Sequence, residues 1–600
     1  MCGIRQPEYD MEFRENQKET IDQITNAFKR GIKTIVLFAP TGTGKTIINL
    51  FSGREMGGSY YSTPLRVLVD QIRDDLTGKL REERLGWVIM GRGAYPCPYQ
   101  INLENKQYFE DNIRAKSYEK DRLKEVHEQK LKELTADGAP CTSKHPKYKY
   151  NGQIVEKCPF LSECGYYKDR DKAMASQNIV TTLDYLLVGI LPNLGLDSEF
   201  VSSVGWENRP TMIVDEAHYL PSKLADFYSI NISKKALPDF PYDILLKNIG
   251  DGDPDKALME FRKLLPDYKD RQENYLELLE NNLKMSENDD IISYYGRDAS
   301  LSTAIMRQRK LVNRLSFMNF SLDIDVEWIY NRDDKGMYWK PYSPKKFVEK
   351  FWNIFDHIIL SSATFFGIKD YLDDLGLGEY PYEIIEVKST FPSESAPIIP
   401  VSTIGLNKSN FESTISSVVS DVDNILDNHP NERGIIHCNS YAYKKEIENN
   451  SKHSDRFISH DSNDRADRLR EFMSQDNGSN MVLLSVNMGE GIDLRDDVAR
   501  FQIVVKCPYP FLGDPWTKLH FDRSKRWYEN QTIIQIMQMC GRIIRSKEDW
   551  GITYFIDRNI MNLLERNKKE LPGYFWDRIE SGNIVRQKKI EKEFDDLLGI

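Results

Sequence analysis

The most regular hydrophobic pattern in the chain is a series of short apolar, β-branched runs that end in small or acidic residues. Lys33 to Phe38, "KTIVLF", runs into a glycine-rich turn, and Met212 to Val214 runs into an acidic pair. Runs of this length, closed by turn-forming residues, are typical of strands buried in a parallel sheet. Helix-like stretches separate such runs, above all after residue 398, so the sequence predicts an α/β fold.

Helical periodicity replaces the strand pattern between the second of these runs and residue 345. Asp253 is a candidate N-cap, with Pro254 in the first turn. The apolar residues that then recur on one face are Leu258, Phe261 and Leu265. The 3.6-residue period continues through "STAIMRQRKLVNRLSFM", and "VEWIYNRDDKGMYWKPY" alternates around a turn as a hairpin does. We expect a helical insertion that returns to the core through a hairpin.

Length and composition indicate how many domains to expect and in which cellular compartment the protein works. The chain has 600 residues, and single cores stop growing at roughly 250–300 residues, so several domains are expected. No apolar run approaches the ~18–20 residues of a membrane span, and the N-terminus "MCGIRQPEYD" has no apolar signal region. We expect an intracellular protein, cytoplasmic in a prokaryote or nuclear in a eukaryote, with no membrane partner. The net charge of −11 argues mildly against binding of nucleic acid. A protein that binds one nucleic-acid strand needs only a local basic surface, however.

The strongest chemical motif is the turn "APTGTGKT" after the first apolar run. A glycine-rich turn between a strand and a helix points backbone N–H groups at anionic phosphates. Lys45 can reach the β and γ phosphates, and the Thr46 hydroxyl can bind Mg²⁺. The alternative is a plain glycine turn between a core strand and a helix. The residues expected at the phosphates are Gly42, Thr43, Gly44, Lys45 and Thr46.

A second motif, "DEAH", follows the strand-like run at Met212 to Val214. Asp215 at the strand end can hold Mg²⁺, and Glu216 can orient or deprotonate the attacking water. The alternative, an acidic helix N-terminus, becomes improbable downstream of a phosphate-binding loop. Together the two motifs predict ATP hydrolysis.

Further motifs follow in a fixed order. "SSAT" spans residues 361–364, "RGIIHCNSY" spans 433–441 and "GEGIDLRDD" spans 489–497. The segment "QIMQMCGRIIR" places Gln535, Gln538, Arg542 and Arg545 on a predicted helix. Two arginines three residues apart share a helix face and can act together on a γ-phosphate. Alone, such a pair is usually a solvated basic face.

This ordered series resembles the superfamily 2 DNA helicases, which implies two RecA-like motor domains and an ATP hydrolase that acts on DNA. The resemblance implies that the catalytic residues are Lys45, Asp215, Glu216, Gln538, Arg542 and Arg545. It adds nucleotide contacts at Arg14, Gln17, Gly491 and Asp493. By the same resemblance, the residues that contact the DNA strand are Thr63, Arg66, Tyr185, Ser440 and Tyr441.

Half of the eight cysteines lie within 68 residues. In an intracellular chain such a group suggests a metal rather than disulfides. The spacers of 43, 16 and 5 residues lack the short C-x₂₋₄-C pairs that structural zinc sites favour. Zinc and four unligated thiols remain the alternatives. The group lies between the strand-contacting motif at Thr63 and the DEAH segment, as in the XPD/DinG helicases, and that resemblance implies a [4Fe–4S] cluster on Cys97, Cys141, Cys158 and Cys164.

The same insertion contains "CTSKHPKYKYNG", which interleaves lysines with tyrosines. Lysines hold phosphates while aromatic rings stack on bases, so Lys147 and Lys149 are expected to contact single-stranded DNA. The alternative for each residue is a solvated loop.

The resemblance also implies the arrangement of domains. A first RecA-like motor domain would occupy 1–90, 172–225 and 346–390, interrupted by an Fe–S insertion at 91–171 and a helical arch insertion at 226–345. A second RecA-like motor domain would occupy 391–600.

The function implied is that of an ATP-dependent DNA helicase of the XPD type, which moves 5′ to 3′ on single-stranded DNA, unwinds duplex and serves nucleotide excision repair. Its cofactors would be ATP, Mg²⁺ and the [4Fe–4S] cluster. Its partners would be single-stranded and forked DNA, with repair proteins as candidate partners of a monomer. Two alternatives stay open: a DinG-like helicase in recombination or R-loop resolution, and an ATP-gated clamp that scans DNA with little unwinding.

Overall fold

The computed structural model describes most of the chain. The described residues are 13–14, 16–40, 42–80, 84–114, 120–136, 139, 141, 148–150, 153–190, 209–249, 253–286, 295–333, 336–388, 392–461, 464–476, 478–486, 496–542 and 549–598. Within this part of the chain, every helix is too short or too polar to cross a membrane.

Helices are distributed along the whole described chain. They are α1 Gln17–Lys29, α2 Lys45–Glu55, α3 Arg66–Asp74, α4 Pro98–Arg114, α5 Lys120–Glu133, α6 Gly165–Ala175, α7 Leu183–Ile190, α8 Leu220–Phe227, α9 Tyr242–Ile249, α10 Pro254–Ser286, α11 Tyr295–Asp323, α12 Lys345–Trp352, α13 Ile368–Asp374, α14 Phe411–Asp427, α15 Tyr441–Asn450, α16 Arg465–Met473, α17 Pro515–Arg523, α18 Lys525–Cys540, α19 Arg558–Arg566 and α20 Gly573–Leu598.

The strands are short and most belong to parallel sheets. They are β1 Thr34–Phe38, β2 Ser59–Thr63, β3 Gly86–Val88, β4 Tyr148–Tyr150, β5 Gln153–Val155, β6 Asn178–Thr182, β7 Thr211–Asp215, β8 Ile230–Ile232, β9 Trp328–Asp333, β10 Gly336–Pro341, β11 His357–Ser362, β12 Tyr382–Glu386, β13 Ile398–Pro400, β14 Gly434–His437, β15 Phe457–Ser459, β16 Val482–Ser485, β17 Phe501–Val504 and β18 Ile552–Phe555.

The chain divides into two compact units. The first comprises residues 1–49, 359–373 and 380–600, and the second comprises 50–358 and 374–379. In the first unit β1 pairs in parallel with β12, with Thr34 opposite Tyr382. In the second unit the parallel strands follow the order β7-β2-β6-β3, and Tyr61 lies opposite Ile213.

A six-stranded parallel sheet organises the C-terminal part of the first unit, in the order β13-β18-β17-β14-β16-β15. All residues of the central strands β14, β16 and β17 are buried. Helix α14 packs its apolar residues, such as Val418 and Val422, on one side of this sheet. At Gly434 a Cβ would fall 2.4 Å from the ring of Phe501, so the glycine permits that ring to fill the space between neighbouring strands. The apolar runs of the sequence therefore form buried parallel strands, and the predicted α/β class is confirmed.

The predicted helical insertion is found in the second unit. Helices α10 and α11 pack on a three-stranded antiparallel sheet of order β8-β10-β9, in which Gly336 lies opposite Asp333. Aromatic rings fill the interface, and Phe261 of α10 stacks on Trp339 of β10 with 5.6 Å between ring centroids. Both the helices and the hairpin that the periodicity predicted are present.

Candidate functional site

The glycine-rich turn lies between the fully buried strand β1 and helix α2, which begins at Lys45. Gly42 and Gly44 have φ angles of 82° and 81°, a left-handed conformation that favours glycine. The Thr43 hydroxyl donates a 2.7 Å hydrogen bond to the carbonyl of Pro40, which fixes the turn. Lys45 and Thr46 follow as the first residues of the helix, whose positive dipole end attracts anions.

Two residues upstream of the turn hold it in place. Gln17 is fully buried, and its Nε2 donates to the carbonyl of Thr43 at 3.0 Å. Its Oε1 accepts the backbone N–H of Arg14 at 2.8 Å, while the Arg14 guanidinium donates to the carbonyl of Gly42 at 3.1 Å. A Cβ at Gly44 would fall 2.2 Å from Gln17 Nε2. The structure places both residues on the phosphate loop, and their expected contact with the nucleotide stays a prediction.

Asp215 ends strand β7 as a buried carboxylate with two hydrogen-bond donors. The Tyr61 hydroxyl donates to its Oδ2 at 3.0 Å, and the backbone N–H of Glu216 donates to its Oδ1 at 2.9 Å. These contacts fix the orientation of the carboxylate. Sequence analysis missed Tyr61, although the run "YYST" at a strand end was the available signal.

Glu216 has an unusual backbone conformation, with φ 48° and ψ 41°. For a residue with a Cβ this conformation costs about 1–2 kcal/mol, and such strain is concentrated at functional sites. The half-buried side chain places Oε2 3.4 Å from Nδ1 of His218. The His218 ring is buried and lies 3.8 Å from the ring of Tyr219. The turn therefore places the Glu216 carboxylate beside the His218 ring.

The SSAT segment follows strand β11 and contacts the C-terminal part of the first unit. Gln538 Nε2 on α18 donates to the Thr364 hydroxyl at 3.4 Å. The hydroxyl of Tyr574 on α20 donates to the carbonyl of Ala363 at 2.9 Å. The Thr364 N–H donates to Ser362 Oγ at 3.1 Å, which fixes the segment locally. The sequence predicted Gln538 as a catalytic residue and "SSAT" as a motif, but it gave no sign of Tyr574.

The helix predicted to carry Arg542 and Arg545 is shorter than expected. It ends at Cys540, so the placement of Arg542 on this helix is wrong. Gly541 is a weak helix former, and the Arg578 guanidinium donates to the carbonyl of Cys540 at 3.0 Å in place of a further helical turn. Arg542 follows the cap. Burial, followed by the charge of Arg542, lowers the pKa of His437 to about 3. Arg545, Gly491 and Asp493 lie outside the described residues.

The residues predicted to contact DNA have different surroundings. Thr63 is buried, and its hydroxyl accepts the N–H of Leu65 at 3.2 Å. Tyr185 is half-buried, with its hydroxyl 3.0 Å from that of Tyr166. The exposed positions are Arg66, at the start of α3, and Tyr441, which follows Ser440 at the start of α15. Lys147 lies outside the described residues, and of Lys149 only the backbone, in β4, is described. All of these contacts with DNA remain predictions.

Three of the four grouped cysteines share one small core. Cys97, Tyr99 and Ala139 are buried together, and Cys141 and Cys158 pack against them. Cys164 is buried as well and caps helix α6. Burial, followed by the nearby Cys141 and Cys158 thiols, raises the pKa of Cys97 to about 11. Burial and the neighbouring thiols of Cys141 and Cys164 also raise the pKa of Cys158.

Arg92 contacts this cysteine group directly. Its guanidinium donates a 3.2 Å hydrogen bond to Sγ of Cys141 and lies over the ring of Tyr166, 4.6 Å from the centroid. Throughout the described residues no set of three His, Cys, Asp or Glu side chains is arranged as a ready metal site. All the cysteines of this part of the chain are free thiols. The donor set still fits an iron–sulfur cluster, since it combines thiols, an apolar aromatic shell and an N–H donor to sulfur.

Two family models match the chain. "Type III restriction enzyme, res subunit" matches residues 10–246, and "Helicase C-terminal domain" matches residues 422–577. The first match includes both the phosphate loop and the DEAH strand, and the second includes Gln538 and Arg542.

Three proteins with similar sequences are named as ATP-dependent DNA helicases. ATP-dependent DNA helicase YoaA of Escherichia coli is 22% identical over 91% of this chain and 92% of its own length. YoaA of Haemophilus influenzae is 20% identical over 90% of each chain. ATP-dependent DNA helicase CHL1 of Candida albicans is 30% identical, but over only 16% of this chain and 14% of that protein.

Solved structures show the same fold. The structure titled "XPD_Helicase" has a TM-score of 0.56 at 15% identity and covers 93% of this chain and 98% of its own. Xpd4 of S. tokodaii has a TM-score of 0.52 at 15% identity, over 92% and 98% of the two chains. The fold is that of two RecA-like domains with parallel sheets. With the motifs in order, a helicase sequence model matching residues 422–577 and full-length relatives named as DNA helicases, the chain is an ATP-dependent DNA helicase with the fold of the XPD structures.

Proposed function

We propose that this helicase translocates 5′ to 3′ on single-stranded DNA, unwinds duplex and serves nucleotide excision repair, as an enzyme of the XPD type. The observation that carries the proposal is the small buried core that brings Cys97, Cys141 and Cys158 together. A four-cysteine insertion at this place in the first motor domain distinguishes the XPD/DinG helicases, which include the XPD type, from other superfamily 2 members. The polarity is inherited from that resemblance.

In the proposed hydrolysis step, the chain's own residues bind ATP and activate water. Lys45 and the N–H groups at the start of α2 bind the β and γ phosphates. Tyr61 and the Glu216 N–H hold the Asp215 carboxylate in place, and the Glu216 side chain accepts the proton of the attacking water. Mg²⁺, held by Thr46 and Asp215, would neutralise phosphate charge when bound. Arg542, Arg545 and Gln538 would contact the γ-phosphate, and Arg14, Gln17, Gly491 and Asp493 the rest of the nucleotide.

The cysteine group is proposed to hold a [4Fe–4S] cluster through Cys97, Cys141, Cys158 and Cys164. When bound, the cluster would crosslink the segments of an insertion that has little apolar core of its own. Arg92 would then donate its hydrogen bond to a ligand sulfur. The domain boundaries given above, with the insertion at 91–171 and the arch at 226–345, belong to this proposal, as does a monomer that acts on forked DNA with repair proteins as partners.

A second candidate has equal support from sequence. YoaA, which matches nine-tenths of the chain, is named only as an ATP-dependent DNA helicase, and a DinG-like enzyme for recombination intermediates or R-loops would share the motifs and the cysteines. The ATP-gated scanning clamp is the remaining alternative.

Strand displacement on three substrates separates these possibilities. We expect ATP-dependent displacement from a fork with a 5′ tail, none from a duplex with only a 3′ tail, and slower displacement of the RNA from an R-loop. Displacement from the 3′ tail alone would contradict the polarity. Preference for the R-loop would favour the DinG-like role, and ATP hydrolysis without displacement would favour the clamp.

A further inference from the structure

The loop that joins β17 to α17 presents an aromatic ring to solvent. Phe511, in the sequence "CPYPFLGDP", is 78% exposed, the largest exposure among the large apolar side chains of the described residues. Burial of aromatic surface is a main source of stability, so a ring left this open contributes little to folding. We propose that Phe511 is a base-stacking contact for single-stranded DNA in the C-terminal motor domain.

The loop is rigid, as a preorganised contact requires. Pro508 and Pro510 fix two of its φ angles, and the hydroxyl of Tyr528 donates to the carbonyl of Pro510 at 2.9 Å. Tyr509 stacks on Tyr528, with ring planes 2° apart and centroids 5.6 Å apart. Asp514 caps helix α17 by accepting the N–H of Thr517 at 2.9 Å. A ring on such a loop loses little conformational entropy when it binds a ligand.

The loop also leaves most of the Phe511 ring uncovered. A Cβ on Gly513 would fall 2.1 Å from Cζ of Phe511, so the ring lies against the backbone at this glycine. The atoms of the ring nearest to this position are Cζ and Cε1, at its tip. With the side chain 78% exposed, most of the ring surface lies in solvent, as a stacking platform requires.

The platform lies at a sheet edge that carries a second exposed aromatic residue. Strands β14 and β17 are parallel neighbours, so their carboxyl ends meet at one edge. Asn439, after β14, donates its Nδ2 to the carbonyl of Lys506, after β17, at 2.7 Å. Tyr441, two residues beyond Asn439, is 49% exposed. Phe511 and Tyr441 therefore follow strands that end side by side.

The charge around the loop suits a polyanion. Residues 506–526 contain five basic and two acidic side chains, in a chain whose net charge is −11. Lys518 forms an ion pair with Asp522, and Arg526 forms one with Glu570 outside this range. The exposed basic residues include Arg523 and Lys525. Basic groups that hold phosphates beside aromatic rings that stack on bases are the usual composition of a single-strand surface. This local excess favours DNA over an apolar protein partner, which would need no basic residues.

The test is equilibrium binding of the full-length protein to a fluorescent oligo-dT strand, without ATP. Since one stacked base contributes ~1–3 kcal/mol, we expect Phe511→Ala to weaken binding about tenfold. Phe511→Trp should retain affinity and show tryptophan quenching on binding. Tyr382→Ala, which removes another exposed ring at the start of β12, is the matched control and should bind as the wild type does.

Two further measurements separate stacking from other contacts. An abasic strand of the same length should bind the wild type and Phe511→Ala equally, because only phosphates remain. Phe511→Leu keeps an apolar side chain without a flat ring and should bind oligo-dT as weakly as Phe511→Ala. Wild-type affinity for oligo-dT in Phe511→Ala or in Phe511→Leu would overturn the proposal. Wild-type affinity in both variants would favour a protein-docking site. The inference rests on the DNA helicase activity and not on polarity or the cluster, so reversed polarity on the forked substrates would leave it standing.

Discussion

The hydroxyl of Tyr574 donates a 2.9 Å hydrogen bond to the backbone carbonyl of Ala363. The two residues are 211 positions apart, one on the C-terminal helix α20 and the other inside the SSAT segment. One turn further along α20, Arg578 donates to the carbonyls of Cys540 and Ala396, at 3.0 and 2.7 Å. Helix α20 thus contacts the SSAT segment, the end of helix α18 and the start of β13.

Replacing Tyr574 by Phe should weaken the link between ATP hydrolysis and movement. The substitution removes only the hydroxyl, so the free energy of unfolding should fall by about 1 kcal/mol, while fewer base pairs are opened per ATP hydrolysed. Trp576→Phe is the control, because the Trp576 indole donates to Glu580 on the same helix. An unchanged ratio of displacement to hydrolysis in Tyr574→Phe would show that this bond is only structural.

Glu216→Gln should bind ATP and hydrolyse it slowly. The amide keeps the size of the side chain but cannot accept a proton, and loss of a general base reduces rates by about 10²–10⁴. Fluorescent-nucleotide binding and steady-state hydrolysis, both in the presence of DNA, measure the two effects separately. Lys45→Ala should lose hydrolysis while keeping the fold. Normal turnover in Glu216→Gln would remove Glu216 as the proton acceptor.

The metal content of protein purified without oxygen tests the cysteine group. We expect about four irons and as many sulfides per chain, and Cys158→Ser should lose them together. Cys540→Ser, which changes a buried thiol in a different core, should keep its iron. One zinc per chain, or iron retained in Cys158→Ser, would contradict the proposed cluster.

His437 should make the protein sensitive to acid. Its folded-state pKa of about 3 lies below the unfolded value of about 6.5. Between these two pH values the unfolded chain binds a proton at His437 that the native state does not bind. The free energy of unfolding should therefore fall, from this residue alone, by up to about 1.4 kcal/mol per pH unit as pH drops below 6.5. In His437→Asn the decrease in melting temperature between pH 7.5 and pH 5 should be smaller than in the wild type. Equal decreases would mean that other groups dominate.

Local pattern predicted the elements of this fold well. The strand expected at Lys33 to Phe38 is found at Thr34–Phe38, and the helix expected to start near Pro254 begins there. Burial on one or both faces imposes a period on neighbouring residues, so a short stretch of sequence contains the signal. The motif series likewise predicted a nucleotide site at the turn before α2, and that site stays a prediction.

Contacts between distant segments were not predictable in this way. The bonds from Arg92 to Cys141 and from Tyr574 to Ala363 join residues 49 and 211 positions apart, and no periodicity records such pairs. The end of helix α18 was missed for the same reason. The carbonyl of Cys540 accepts a hydrogen bond from Arg578. The sequence around Gly541 does not reveal this partner.

The order of strands in the C-terminal sheet also bears on how the protein is made. Strand β13, at residues 398–400, is an edge strand, and its partner in the sheet is β18, at residues 552–555. At about 5–20 residues per second, a ribosome needs roughly 10–30 s to reach the second strand after making the first. During that interval β13 has no strand to pair with. A chain released before residue 552 lacks β18, so both β13 and β17 keep an unpaired edge. Because unpaired strand edges promote aggregation, we expect chaperones to bind nascent chains of this helicase until β18 has been made.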